Sequence, residues 1–126
     1  MLIYKMKFTN NREFGSWGEK QAEEYLLDKG YQLVERNFRV RQGEIDLIVK
    51  NDQFLVFVEV KTRKNNLFGA PQAAVDYRKQ NKIKKIAKFY LRDKKYKEYK
   101  LRFDVISILY KNGDNDIVLE HYKNSF

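Results

Sequence analysis

The chain has 126 residues, 43% of them hydrophobic, which supports one folded domain over 1–126 and excludes a disordered polypeptide. Cysteine is absent, which excludes disulfides, zinc–thiolate sites and thiol nucleophiles and makes a reducing cytoplasmic setting the expected one. The net charge is +9, and no apolar run has the length of a membrane span, so no membrane partner is expected.

Residues 1–10 hold neither a long apolar run nor a small-residue cleavage pattern. They read as a poorly ordered N-terminal segment rather than a signal peptide. A first helix is predicted over 11–28, because Phe14, Trp17, Ala22, Tyr25 and Leu26 fall close to helical spacing. Gly15 and Gly18 lower the helix propensity of that stretch and predict a close backbone approach to a neighbour. Gly30 suits a left-handed cap just past the helix end. Residues 31–38 form a predicted strand, and 39–42 a polar connection. Residues 43–50 and 53–62 alternate as strands do, with Asn51-Asp52 as a two-residue turn between them. Residues 63–71 lack periodicity and read as an exposed loop, either a flap over substrate or a plain connection. A second helix is predicted over 72–92, bent near Tyr77, from the stripe Ile83, Ile86, Ala87, Tyr90 and Leu91. Strands over 101–110 and 117–122 follow, joined by the turn-rich Asn112-Gly113-Asp114-Asn115. This order predicts an α/β fold with a sheet of mixed direction and helices packed on it.

The charge is localised. Residues 78–102 carry twelve Lys or Arg against Asp93 and Glu98, so the rest of the chain is close to neutral. Such a block suits a surface that meets phosphates, although a solvated lysine-rich helix is the plain reading. Tyr96 and Tyr99 lie among lysines and either stack on bases or cover the core edge. His121, the sole histidine, and Trp17 read as structural.

The hairpin carries the chemistry. With Asn51-Asp52 as the turn, Lys50 pairs with Gln53, Glu44 lies opposite Glu59, and Asp46 lies opposite Phe57. One face then holds Ile45, Leu47, Val49, Val56 and Val58 and must be buried. The other gathers Glu44, Asp46, Glu59 and Lys61, with Asp46 and Glu59 as diagonal neighbours roughly 7–8 Å apart. Crowded carboxylates invite a cation. Magnesium takes one or two protein carboxylates and completes its shell with water and substrate phosphate. Lys61 can orient a water or stabilise charge on a phosphate. Glu19 completes the acidic pocket if the first helix packs across this face. A polar face that simply meets water is the plain alternative, and Ile48, Leu55 and Phe57 on the same face count against it. Glu44 either supports the site from behind or is a surface acid. Arg63 and Lys64 lie just beyond the motif, where a phosphate backbone would pass.

Gly43-Glu44-Ile45-Asp46 followed by Glu59-Val60-Lys61 resembles the acidic-x-lysine signature of the restriction-endonuclease-like, or PD-(D/E)xK, nuclease superfamily, with Ile45 where the motif has its proline. A wider set resembles the bacterial YraN-like protein family: Gly18-Glu19, Tyr25-Leu26, Glu35-Arg36-Asn37, Phe57 to Arg63, Phe68-Gly69, Ala74-Val75, Lys79 and Arg102-Phe103-Asp104-Val105. The resemblance implies a restriction-endonuclease-like three-layer fold, a central mixed β-sheet flanked by helices, similar to archaeal Holliday-junction resolvases. It implies Asp46 and Glu59 as Mg2+ ligands, with Mn2+ as a substitute, Lys61 as catalytic lysine, Glu19 as the acid from the first helix, and a homodimer as the assembly. The expected function is Mg2+-dependent hydrolysis of phosphodiester bonds in DNA, more than RNA, including structured or branched DNA. Arg78, Lys79, Lys82 and Lys85 on the second helix would hold the backbone. The alternatives are a non-catalytic nucleic-acid-binding protein with a nuclease-like fold and a protein-interaction scaffold.

Overall fold

The structure, a computed structural model, describes residue 8 and residues 10–64, 75–92, 94–111 and 117–126. The expectations for the first residues, for most of the 63–71 loop and for the 112–115 turn lie outside the described residues, while the second helix, predicted from 72, starts only at Tyr77 because Asp76 is extended and caps it.

The first helix, α1 (Asn11–Asp28), begins where the Asn10 side chain accepts the Glu13 amide at 2.8 Å, satisfying one of the orphan donors of the first turn. It ends at Lys29, and Gly30 follows at φ +96°, the left-handed position predicted for it. Gly18 is where α1 approaches the sheet, since a Cβ there would overlap the Thr62 methyl. Gly15 faces open space, so the close approach predicted for it is not found.

Three strands follow: β1 (Gln32–Val40), β2 (Gly43–Lys50) and β3 (Phe54–Arg63). Then come α2 (Tyr77–Tyr90), a short 3-10 turn (Lys94–Tyr96), β4 (Lys100–Tyr110) and β5 (Ile117–Tyr122). The strands lie side by side in chain order, antiparallel except for the parallel pair β3 and β4. A parallel pair needs a long crossover, and α2 lies on it.

Helix α1 packs on one face, with Ala22 and Leu26 over Leu47, Val49, Val56, Val58, Ile106 and Ile108. Helix α2 packs on the other, with Ile83, Ile86 and Ala87 over Ile45, Ile48, Leu55 and Phe57. Full burial of a side chain such as Leu26 or Ile86 stabilises by roughly 1.5–3 kcal/mol. The result is the helix–sheet–helix layering of a restriction-endonuclease-like fold around a mixed sheet. Among the described residues, no helix is long and apolar enough to cross a membrane.

The β2–β3 register differs from the expected one by two residues. Lys50 pairs with Leu55 and Ile48 with Phe57. The cause is Asn51: its amide donates to Phe54 O at 3.0 Å, and its side chain accepts the amides of Gln53 and Phe54. The turn is therefore Asp52-Gln53. A shift of two keeps Asp46 and Glu59 on one face but changes who opposes whom. Ile45 joins the α2 side rather than Leu47 and Val49. Near it β1 is irregular, with a register shift between Leu33 and Glu35 and Asn37 at φ +47°. β1 also runs on to Val40, which shortens the predicted 39–42 connection.

Candidate active site

The recorded β2–β3 ladder ends at Leu47 paired with Val58. Beyond it a side chain takes over from the backbone, and Asp46 Oδ2 accepts the Val60 amide at 2.8 Å. The strand pairing does not extend to Asp46 and Glu59, and the Asp46 side chain bridges to β3 in its place. Both carboxyl groups are only 8% exposed, and both line one cavity. Burial is the main force pushing the Asp46 carboxyl well above the usual aspartate range, and the hydrogen bond and charge of Glu59 push the same way. The Val60 amide partly opposes them, and the charge of Glu19 adds a smaller push upward.

Helix α2 delivers a cation to this pair. Asp76 caps the helix, accepting the Lys79 amide at 2.9 Å, and the Lys79 ammonium forms an ion pair with Glu59. Burial alone would lower the Lys79 pKa, but Glu59, Asp46 and Asp76 outweigh it and raise it. Lys61 is half-buried on the same β3 face as Glu59. Its pKa is lowered, first by burial and then by the charge of Lys79, against the pull of Glu59. A cavity of about 400 Å³ opens over the pair, lined among others by Asp46, Glu59, Asp76, Arg78, Lys79 and Lys82.

The trio of carboxylates expected from the hairpin does not form. Glu44 stands at the cavity edge and pairs with Arg39 at 2.7 Å. Glu19 comes from α1, on the opposite face of the sheet, and accepts a 2.8 Å hydrogen bond from Asn37 Nδ2. Among the described residues, no three acids or histidines form a set that would hold a metal ion. Asn37 itself lies between the pairs Arg36–Leu47 and Phe38–Ile45, which sets its backbone across from Asp46 on β1. Glu19 acts on Asp46 by charge alone, as the smaller upward push.

Of the predicted phosphate-contacting cations, Arg78, Lys79 and Lys82 line the cavity, and Lys85 lines a neighbouring one. Arg63 and Lys64 line neither; Lys64 lies over the Phe14 ring at 5.3 Å. Arg102 leaves the basic surface altogether, being buried against Asp104. Tyr96 is buried and Tyr99 half-buried against the α2-side core, so neither is an open stacking platform. Asn37 figured only in the family resemblance, with no role, and Asp76 was not singled out by the sequence. Asp76 had a legible signal, as a capping residue directly before a helical stretch.

Two buried carboxylates beside a cavity, with no sulfur or imidazole donor, suit a hard ion that completes its shell with water and phosphate. The buried acids of Asp46 and Glu59, already drawing an ammonium, fit magnesium as a two-carboxylate site.

The profile of the uncharacterised protein family UPF0102 matches residues 18–108. A family protein of Thermodesulfovibrio yellowstonii is 49% identical over 90% of this chain and 96% of its own. Others, from Syntrophomonas wolfei and Caldanaerobacter subterraneus, are each 47% identical, over 92% and 96% of this chain and 99% and 100% of theirs. The matched span takes in the Asp46–Glu59 pair, and the chain belongs to the UPF0102 family, the YraN-like proteins it resembles in sequence.

Proposed function

We propose that the protein is a metal-dependent nuclease that hydrolyses phosphodiester bonds in DNA. One observation carries this reading: two buried carboxyl groups, close enough to raise the pKa of Asp46, lie under a cavity whose rim is cationic. A fold that only needed stability would not keep an acid pair in that position, since burial without full hydrogen bonding costs energy.

Asp46 and Glu59 would hold Mg2+, which when bound supplies an activated water and offsets negative charge on the phosphate. The chain's own groups do the rest. The Val60 N–H fixes the direction of the Asp46 carboxyl. Lys61, whose ammonium gives up its proton more readily than an ordinary lysine's, directs the attacking water and neutralises a non-bridging phosphate oxygen. Arg78 and Lys82 hold flanking phosphates without reading sequence. Water adds to phosphorus, the P–O ester bond breaks, and the departing oxygen takes up a proton.

The test is a cleavage panel of linear, single-stranded, flapped and four-way DNA, with RNA included, under Mg2+ and Mn2+. The expected result is metal-dependent cleavage that Glu59→Ala and Lys61→Ala each reduce by at least about a hundredfold, the scale of losing a group that stabilises transition-state charge. A protein that binds these substrates yet cuts none of them under either ion is instead a non-catalytic binder. The ion pair that ties Lys79 to Glu59 favours that second reading.

A further inference from the structure

Outside the acid pair, α2 carries an unusual line of side chains. Arg78, Lys82, Lys85, Phe89 and Arg92 recur every three or four residues, which sets them along one side of the helix and its exit. All are exposed, and Phe89 is 48% exposed. The core side of the same helix is already furnished by Ile83, Ile86 and Ala87. A lone exposed phenylalanine is ordinary. This one stands between cations, with the Arg92 guanidinium 5.0 Å from its ring centre. A second cavity of about 210 Å³ lies beside it, lined among others by Gln42, Lys85, Ile86, Phe89 and Arg92. That cavity shares Ile86 with the one over Asp46 and Glu59. Between them the β1–β2 turn lies against the helix, where a Cβ on Gly43 would come within 3.3 Å of Lys82 and 3.4 Å of Ile86.

We propose that this side of α2 is a track for single-stranded nucleic acid, which stacks a base on Phe89, lays its phosphates on Lys85, Lys82 and Arg78, and leads the strand to Asp46 and Glu59. The direction of the strand rests on the proposed nuclease function; the binding itself does not. An exposed ring among cations is useful to a strand with free base faces and idle against a duplex, whose bases are stacked inward. The fourteen residue-to-residue steps from Arg78 to Arg92 span roughly 21 Å at helical rise. That suits about four nucleotides, the lower end of known single-strand sites. DNA and RNA share the stacking and phosphate chemistry used here.

The test reads binding rather than cleavage. Labelled oligothymidylate, oligouridylate and a blunt DNA duplex are titrated by fluorescence anisotropy in EDTA, against the full chain and its variants. Phe89→Ala should weaken both single strands by about 5- to 100-fold, the range for losing one stacked base, and leave the duplex unchanged. Phe89→Trp should restore affinity, and its indole emission should be quenched by oligothymidylate. Lys85→Ala should lower the salt dependence of binding, which Phe89→Ala should leave intact. Equal affinity of Phe89→Ala and wild type for single strands, or an unquenched indole, overturns the proposal. Glu59→Gln separates the two ideas. If no substrate is cut by the wild type but Phe89 still governs single-strand affinity, the nuclease reading fails and the track stands. If cleavage depends on Glu59 while Phe89 is silent in binding, the reverse holds.

Discussion

Two buried aspartates on opposite faces of one sheet are treated in opposite ways. Asp104, on the α1 side, is fully buried and fully supplied. Arg102 donates to both its oxygens at 2.9 Å, the Asn124 amide donates at 3.0 Å, and His121 Nε2 lies 2.7 Å from Oδ2. An ionised carboxylate only accepts, so Nε2 donates to it, and Nδ1 on the other side of the ring lies 3.1 Å from the Tyr25 hydroxyl. Burial pushes the Asp104 pKa up, but the hydrogen bonds from His121, Arg102 and Asn124 outweigh it and hold the carboxyl below its ordinary value. Asp46, on the α2 side, receives one amide and faces another acid, and its pKa goes up. The difference teaches where the molecule spends stability. The Asp104 cluster ties β4, β5 and the chain end to α1. The Asp46 pair is left short of donors beside a cavity.

The largest effect should come from breaking the satisfied cluster. Asp104→Ala leaves the Arg102 guanidinium buried without its partner, and a loss of about 3–5 kcal/mol in urea unfolding is expected. A change within about 0.5 kcal/mol, the range of an ordinary surface substitution, would mean the cluster is not holding the edge of the sheet. Next in size is the response of the unsatisfied pair to metal. Saturating Mg2+ should stabilise the wild type by about 2.7 kcal/mol at a hundred times the dissociation constant, and Glu59→Gln should erase that gain. A metal response that survives Glu59→Gln places the ion elsewhere.

The two aspartates should also bend the pH profile in opposite directions. The Asp104 pKa is lowered by folding, so its stabilisation is complete above the unfolded value of 3.8 and drains away as pH falls through the folded one. The Asp46 pKa is raised, so between 3.8 and its folded value the native state holds a proton the unfolded chain has lost. Stability should therefore fall as pH rises through that window, by up to about 1.4 kcal/mol per pH unit. Urea titrations in EDTA should show Asp104→Asn flattening the acid limb and Asp46→Asn flattening the decline toward alkaline pH. Identical slopes in Asp46→Asn and wild type would contradict the account of the pair.

How much of this was legible follows from the same residues. The bounds of α1 match the predicted ones because Asn10 caps it and Gly30 closes it, and both signals are local. The faces of the hairpin were legible because alternation has period two. For that reason alternation cannot separate two registers that differ by two residues, and only the Asn51 side chain decides between them. Asp46 and Glu59 could be brought together from sequence, whereas the expected partners Glu44 and Glu19 could not be sent away, since Arg39 and Asn37 claim them through space. Lys79 belonged to the family resemblance and was expected to hold a phosphate backbone, not to face Glu59. Its ion pair with Glu59 depends on where the crossover lays α2, a contact between distant parts of the chain. His121 read as structural, and its bonds to Asp104 and Tyr25 give that reading its content, although nothing in the sequence named the partners.

The smallest expected effect discriminates most sharply between the two sites. The Lys79–Glu59 ion pair has a half-exposed cation, with 51% of the lysine side chain accessible, so it is worth at most about 1 kcal/mol to the fold. Lys79→Gln should therefore leave unfolding in EDTA almost unchanged. Its effect should appear in calorimetric titration with Mn2+. An ammonium seated on Glu59 competes with any other cation for the same oxygen, so removing it should tighten metal binding several-fold. If Lys79→Gln instead weakens metal binding, the lysine is helping to keep Asp46 and Glu59 in place, and the pair is closer to the Asp104 cluster in kind than their contrasting hydrogen bonds suggest. If it tightens binding and also slows cleavage, the same ammonium leaves Glu59 when metal arrives and turns to the phosphate. The α2 side of the sheet would then exchange one cation for another, and the α1 side has no partner to exchange.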